Sequence, residues 1–418
     1  MVLVIFCYIA AILLRVSSCR STASSSDIGA DKIRAIFSAN VLQCFYNSFT
    51  GIFDFELLWQ SGNSIETLSS VYKDIPVPNS WDISLINTFN KTDEVVDNCY
   101  DDNQWWLFGW ISAYEMTGRM EYLHRAAAAF DYVAINAWTD HCGGGVMWCP
   151  QSNPMNEYKN AITNELFLTA AMRLHQYEGV LQKAPSYYLN WATREWDWFS
   201  TSGLINSDNL INDGLDSSTC QSNKQTTWTY NQGVLLDGLA LLSKAVGNAS
   251  MMTAAEQIAD AAMTKLTSPE GVLVEPCSSG GGCNHDQQIF KGVFARHLAA
   301  FLPLMQDAAV IARARSFLAT NADSMLATDS CSNGGYGLSW SGPESALNSV
   351  AEQSAATDLL AAAASSGTWM PATEEGRGIG FGGCVDDNGT AMPQCYTLSV
   401  SEQHCRDAVV AMDAAGKG

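Results

Sequence analysis

Apolar residues recur at intervals of three and four through most of this chain, the spacing that lines one face of a helix. "IRAIFSANVLQCFY", "WWLFGWISAYEMTG", "EYLHRAAAAFDYVAINAW", "AITNELFLTAAMRLHQYEG" and "YYLNWATREWDWFSTSGL" each predict a helix. "NQGVLLDGLALLSKAVG", "AAEQIADAAMTKL", "VFARHLAAFLPLM", "AVIARARSFLATNADSML" and "QSAATDLLAAAASS" continue the series. Gly118, Gly179 and Gly247 stand where helix C-caps are expected. Strand-like alternation is confined to short pieces such as "GVLVEP". No Pro/Ser linker divides the series, so residues 24–370 read as one all-α domain. Short turns alternate with long Gly/Cys-rich loops, which predicts helical hairpins closed into a ring, an α/α toroid of about six hairpins. A solenoid would need a fixed-period repeat, and none is visible. Beyond residue 366 the pattern fades, and 371–418 read as a Cys-rich appendage tied by disulfides.

Composition narrows the function. Hydrophobic residues make up 47% of the 418 and charged ones 16%, enough apolar material for a sizeable core. The net charge is −21 with no Lys/Arg cluster, so nucleic acid is repelled and an uncharged substrate suits the surface better. An apolar run from Val2 to Leu14 followed by small residues reads as a secretory leader covering 1–23, too short to span a membrane. No later segment is a transmembrane candidate, and no hydrophobic tail for a lipid anchor closes the chain. Secretion to the extracellular space or cell wall follows as the expected localisation.

Thirteen cysteines agree with an oxidising compartment. "HCGGGVMWC" (Cys142, Cys149) and "CSSGGGC" (Cys277, Cys283) look like glycine-rich loops, each closed locally. With no CxxC pair and six scattered histidines, neither a metal site nor a cofactor is expected. Sequons at Asn90, Asn248 and Asn388 are usable for glycosylation in a secreted eukaryotic protein.

The chemistry concentrates in "NCYDDNQWWLFGW", where Asp101 and Asp102 are adjacent and followed by paired tryptophans. Neighbouring residues at a helix start diverge by about 100°, yet both carboxylates can flank one bond if they face a pocket. A retaining glycosidase needs two carboxyl groups about 5–5.5 Å apart, and mutual repulsion keeps a proton on one of them. Taken alone, the pair is better explained as first-turn acids favoured by the helix dipole. Aromatics set beside amides, the pairing that stacks sugar rings and binds hydroxyls, add Trp59, Trp106, Trp148, Tyr230 and Trp340. Asn63, Asn164, Asn231 and Lys291 supply the polar candidates beside them. Trp as core filler, and Asn164 or Lys291 as helix-start residues facing solvent, are the competing readings. "GLSWSG" lacks the second Gly of a serine-hydrolase elbow.

"LLWQSGNSIETL", "CYDDNQWWLFGWISAYEMTG", "GGGVMWC", "YKNAITNELFLTAAMRLH", "WTYNQGVLLDGLALL", "FKGVFARHLAAFL" and "YGLSWSGP" occur in this order over about residues 55–360. Together they resemble glycoside hydrolase family 76, the endo-α-1,6-mannanases and their fungal cell-wall relatives. The resemblance implies an (α/α)6 barrel and a retaining, metal-free hydrolysis of α-1,6-mannan, with Asp101 as nucleophile and Asp102 as general acid/base. The aromatic and amide candidates above would then line the subsites, bordered by the glycine loops at 143–145 and 280–282. Two alternatives remain: a transglycosylase acting on mannose-containing wall glycans, and a non-catalytic mannan-binding protein.

Overall fold

Two kinds of helix alternate along the chain, one buried on nearly every side and one buried on a single face. The computed structural model describes residues 30–53, 58–73, 79–93, 99–150, 157–279, 282–329, 335–342, 349–367 and 369. The predicted leader, the 371–418 appendage, Asn388 and Gly280–Gly281 lie outside the described residues. The fully buried helices are α2 (Leu58–Tyr72), α4 (Tyr100–Thr117), α6 (Ala161–His175), α8 (Thr229–Val246), α10 (Phe290–Phe301) and α12 (Val350–Ser365). Each packs on the next in that order, and α12 returns to α2, which closes a ring. Outside it, α1 (Ala30–Gln43) packs on α12, α5 (Met120–Asn136) on α4, α7 (Tyr187–Phe199) on α6 and α9 (Ala249–Lys265) on α8. The outer layer is completed by α3 (Asn79–Lys91), whose buried Trp81 meets Tyr72 of α2, and by α11 (Ala308–Thr328), which packs on α9 and α12. The fold is an (α/α)6 barrel. Among the described residues the only strand pairing beyond isolated bridges is the two-residue hairpin of Tyr46–Asn47 with Ile52–Phe53.

Ring helices approach closely, and small residues permit it. A Cβ on Gly109 would lie 2.6 Å from the Gly62 carbonyl oxygen, and one on Gly292 would lie 2.3 Å from Ala355 Cα. Because these helices have no solvent face, their polar residues must bond to one another. At the level of Glu66 an ionic cluster does so. Arg173 reaches Glu66 Oε1 at 2.8 Å and Asp237 Oδ2 at 3.0 Å, while Arg296 reaches Glu66 Oε2 at 3.0 Å and Asp358 Oδ2 at 2.6 Å. His297 Nδ1 sits 2.8 Å from Asp237 Oδ1, so five of the six ring helices are joined in one network. Burial pushes the Asp237 carboxyl up, but Arg173 and the His297 bond outweigh it and hold it at about 2.

Gly118 and Gly247 are left-handed C-caps, at φ 71° and 69°. Gly179 is not, because α6 ends earlier, at His175, and the chain leaves through turns. The periodicity did not predict α2 and α3 as helices. In "LWQSGNSIETLSSVY" most buried positions are Ser, Thr, Asn, Gln or Gly, so the apolar stripe is missing from a helix that faces other helices all round. The cysteines also pair differently from the local reading. Cys277–Cys283 closes its own loop as expected, but Cys142 joins Cys220 and Cys149 joins Cys99. The backbone between Cys142 and Cys149 explains this: Trp138 and Val146 bridge antiparallel and Trp148 bonds to Tyr158, which turns the two sulfurs toward different neighbours.

Candidate functional site

The starts of five of the six ring helices, α2, α4, α6, α8 and α10, border a cavity of about 580 Å³, α6 through its N-cap Asn160. Trp59 enters it from α2, Asp101, Asp102 and Trp105 from α4, Tyr230 from α8 and Phe290 from α10. A loop between α7 and α8 forms the facing wall with Asp213, Asn223 and Gln225. Cys142–Cys220 fastens that loop to the segment after α5.

Asp101 occupies the first turn of α4, where unpaired backbone N–H groups favour an anion. The Asp102 N–H donates to Asp101 Oδ1 at 3.1 Å, and Trp148 Nε1–H donates to Oδ2 at 2.8 Å. Burial is the largest influence on its proton affinity and pushes the carboxyl up to about 7, against the pull of these N–H donors, and the nearby Asp286 carboxylate adds to the rise. Asp286 itself accepts Trp59 Nε1–H at 2.8 Å, and burial raises it as well.

The cavity has an aromatic side. Trp59 and Trp105 lie 5.2 Å apart, Trp105 stacks on Tyr230 at 6.4 Å, and Tyr230 stacks on Phe290 at 3.7 Å. Opposite, Asp213 is fixed by Tyr158 OH at 2.5 Å and Trp228 Nε1–H at 3.1 Å, and Asn223 Nδ2 donates to the same tyrosine oxygen at 2.8 Å. Carboxylates that can accept sugar hydroxyls thus face apolar rings that can cover sugar C–H surfaces.

Of the nine subsite candidates, Trp59, Trp148 and Tyr230 line the cavity with Asp101 and Asp102, and the other six do not. That is a correction: all six are buried outside the cavity lining, and Asn63, Asn164 and Lys291 spend their polar groups on a neighbouring helix or on loops packed against the ring. Asn63 accepts from Arg296 at 2.6 Å. Asn164 pairs with both the N–H and the carbonyl of Val146, which makes it a loop anchor and neither a cleft nor a solvent residue. Lys291 donates to the Leu338 carbonyl at 2.6 Å and lies 4.4 Å over the Trp340 ring, burying both. Trp106 packs where Gly62 leaves room, and Asn231 is buried with neither amide atom partnered. Gly144 and Gly145 pack on the Trp198 indole and are absent from the cavity lining.

The reading from sequence missed Trp105, Tyr158, Asp213, Asn223, Asp286 and Phe290. For Trp105 and Phe290 the signal was available, since they sit in the second and first turns of helices already singled out. The loop residues carry no periodic signal; only Cys220, which had to find a partner, marks their segment as anchored. His141, Cys142 and Cys220 bring potential metal-ligand atoms together, but both sulfurs are engaged in the disulfide and offer no thiolate.

The family model for glycosyl hydrolase family 76 matches residues 80–374. Mannan endo-1,6-alpha-mannosidase DCW1 of Saccharomyces cerevisiae is 28% identical over 298 residues, which cover 68% of this chain and 64% of that protein. A putative mannan endo-1,6-alpha-mannosidase of Schizosaccharomyces pombe, C1198.07c, is 32% identical over 228 residues, covering 52% of this chain and 50% of that one. The chain therefore spans between half and two thirds of the length of these two relatives. Among solved structures, an α-1,6-mannanase of Salegentibacter sp. HEL1_6, inactivated at two adjacent aspartates and in complex with α-1,6-mannotriose, is similar with a TM-score of 0.68 and 19% identity. That match covers 80% of this chain and 98% of that one. Dfg5 from Chaetomium thermophilum in complex with glucosamine is similar with a TM-score of 0.69 and 19% identity, over 84% and 94% of the two chains.

Proposed function

The chain belongs to glycosyl hydrolase family 76, and from that premise we propose that it is a secreted endo-glycosidase cutting α-1,6-mannosidic bonds of cell-wall mannan with retention. The observation that carries this reading is the Asp101–Asp102 pair at the mouth of a ring helix, opening into a cavity with an aromatic side. Asp101, held as an acceptor by Trp148 and a backbone N–H, attacks the anomeric carbon. Asp102 gives its proton to the departing glycosidic oxygen. The β-linked mannosyl-enzyme is then opened by water that Asp102 deprotonates, and the α configuration returns. Burial pushes the Asp101 carboxyl up to about 7 against the pull of the Trp148 and backbone N–H donors, so the nucleophile becomes the required anion as pH rises through that value.

The names of the curated relatives and the mannotriose bound to a structural neighbour support mannan as the substrate. A cavity of about 580 Å³ is within the range of small-ligand sites. Disulfides support an oxidising compartment, Asn90 and Asn248 are exposed as glycosylation requires, and no helix among the described residues is long and apolar enough to cross a membrane. The test is a product profile on unbranched α-1,6-mannooligosaccharides. Shorter products support hydrolysis; longer ones assign the same dyad to glycan transfer. Binding without any product assigns the chain to mannan recognition.

A further inference from the structure

We propose, resting on the reading of Asp101 as the nucleophile, that the Cys99–Cys149 disulfide is a positioning device for Asp101 that works through the Trp148 indole. Cys99 is the N-cap of α4, a position where Ser, Thr, Asp or Asn would normally accept a backbone N–H, yet it makes no such bond. Its sulfur is instead committed to Cys149. Two further links lace the same short segments together. The Tyr100 N–H donates to the Trp148 carbonyl at 2.8 Å, and Trp148 Nε1–H donates to Asp101 Oδ2 at 2.8 Å. On its far side Trp148 is held by its own N–H to the Tyr158 carbonyl at 2.8 Å and by edge-on contact between the rings, 6.2 Å between centroids. Three consecutive residues of the helix start are thus tied to two of the loop by a covalent, a backbone and a side-chain link.

The consequence is chemical. A fixed N–H donor favours the ionised carboxylate and holds its rotamer, while the other oxygen is held by the Asp102 N–H. The titratable groups lining the cavity with Asp101 are Asp102 on α4, Tyr230 on α8, Asp286 ahead of α10, and Tyr158, Asp213 and Asp216 on the other side. None is a cation, so the indole N–H and the helix start oppose the effect of burial on this acid. Without the disulfide, the loop can draw the indole away while the helix remains folded.

Three variants separate this from ordinary stabilisation: Trp148→Phe, the double Cys99→Ala/Cys149→Ala, and all three substitutions together. Each is assayed for kcat, KM and pH profile on α-1,6-mannotetraose. Loss of a hydrogen bond to a charged group lowers kcat about 10-fold in Trp148→Phe, with KM within about 2-fold. Its pH profile moves upward, because Asp101 then holds a proton more tightly. The disulfide variant moves the same way, and the triple variant is no worse than Trp148→Phe by more than about 2-fold, as expected of residues acting through one contact. A folded disulfide variant with lower thermal stability but unchanged kcat and pH profile overturns the proposal, as do losses that multiply in the triple variant.

A second readout needs no activity. The Trp148 indole N–H resonance, followed by NMR in the full chain, should titrate with Asp101. The titration should vanish in Asp101→Asn and weaken when the folded protein is reduced with dithiothreitol. A resonance indifferent to pH, or to reduction, overturns the proposal even if the double variant fails to fold. If the wild type cleaves no mannooligosaccharide while this resonance behaves as expected, the substrate reading falls and the positioning of Asp101 stands.

Discussion

Replacing Arg173 with Met removes one cation from the ionic cluster that joins the ring helices. Arg173 is bonded to Glu66 at 2.8 Å and Asp237 at 3.0 Å, and both carboxylates have side chains at most 5% exposed. Breaking a buried ion pair on one side costs about 3–5 kcal/mol, chiefly from the charge left behind. Glu66 keeps Arg296 and Asp237 keeps His297, which places the expected loss at the lower end, about 3 kcal/mol. With about 2 cal/mol/K of unfolding entropy per residue, that is a fall of about 4 °C in Tm for a domain of this size. The pH dependence is the sharper part. In the native chain the Asp237 carboxyl is depressed to about 2, so its contribution holds from neutral pH and fades only as the pH falls toward that value. In Arg173→Met the opposing effect of burial dominates and the folded carboxyl binds protons more tightly than the unfolded one. The variant then gains stability relative to the native chain as pH falls from 7 to 4.5. Urea unfolding at a series of pH values measures the gap. A gap below about 1 kcal/mol at pH 7, or one that does not narrow in acid, refutes the cluster as the link between the ring helices.

Asp102→Asn with a dinitrophenyl α-mannoside should still form the mannosyl-enzyme, and azide should release it as the α-mannosyl azide. Asp101→Ala with the same substrate should give the β-azide by direct attack, and the opposite pairing of products would exchange the two roles. With the Asp101 carboxyl pushed up to about 7, the nucleophile ionises there, so kcat/KM should rise as pH climbs through that value; a profile flat from about pH 5 to 8 would deny Asp101 the nucleophile role. Trp59→Ala should weaken oligomannoside binding by about 1–2 kcal/mol, by analogy with bases stacked on aromatic rings. Trp106→Phe, at a ring contact outside the cavity, should cost about 1–3 kcal/mol of stability and leave KM unchanged; measured together by calorimetry and kinetics, a reversal of the two would move the aromatic side elsewhere.

The helix array was legible because outer helices such as α5 and α9 carry clear apolar stripes, and long inner helices such as α8 carry runs of apolar residues, as in "VLLDGLALL". α2 was not, since a helix surrounded by helices needs no stripe and here uses Ser, Thr and Asn to meet its neighbours. The same burial misled the subsite list. An amide beside an aromatic marks a sugar site in an open cleft, but within the ring it can mark a cross-helix bond, as Asn63 to Arg296, or a loop anchor, as Asn164 to Val146. Trp59 and Tyr230 line the cavity because both fall in the first turn of a ring helix whose start borders it. Asp213 and Asp286 lie in loops whose course is set by Cys142–Cys220 and by Gln60 bonding to the His285 carbonyl, contacts between segments far apart in sequence.

Proton NMR of unbranched α-1,6-mannan during the first minutes of digestion reads the dyad's chemistry directly, because the anomeric configuration of new reducing ends is fixed before mutarotation. Double displacement at Asp101 predicts that the α-anomer accumulates first and the β-anomer grows in later, with both signals lost in Asp101→Asn. A β-anomer appearing first would contradict the retaining pair, and undiminished cleavage by Asp101→Asn would remove Asp101 from the reaction.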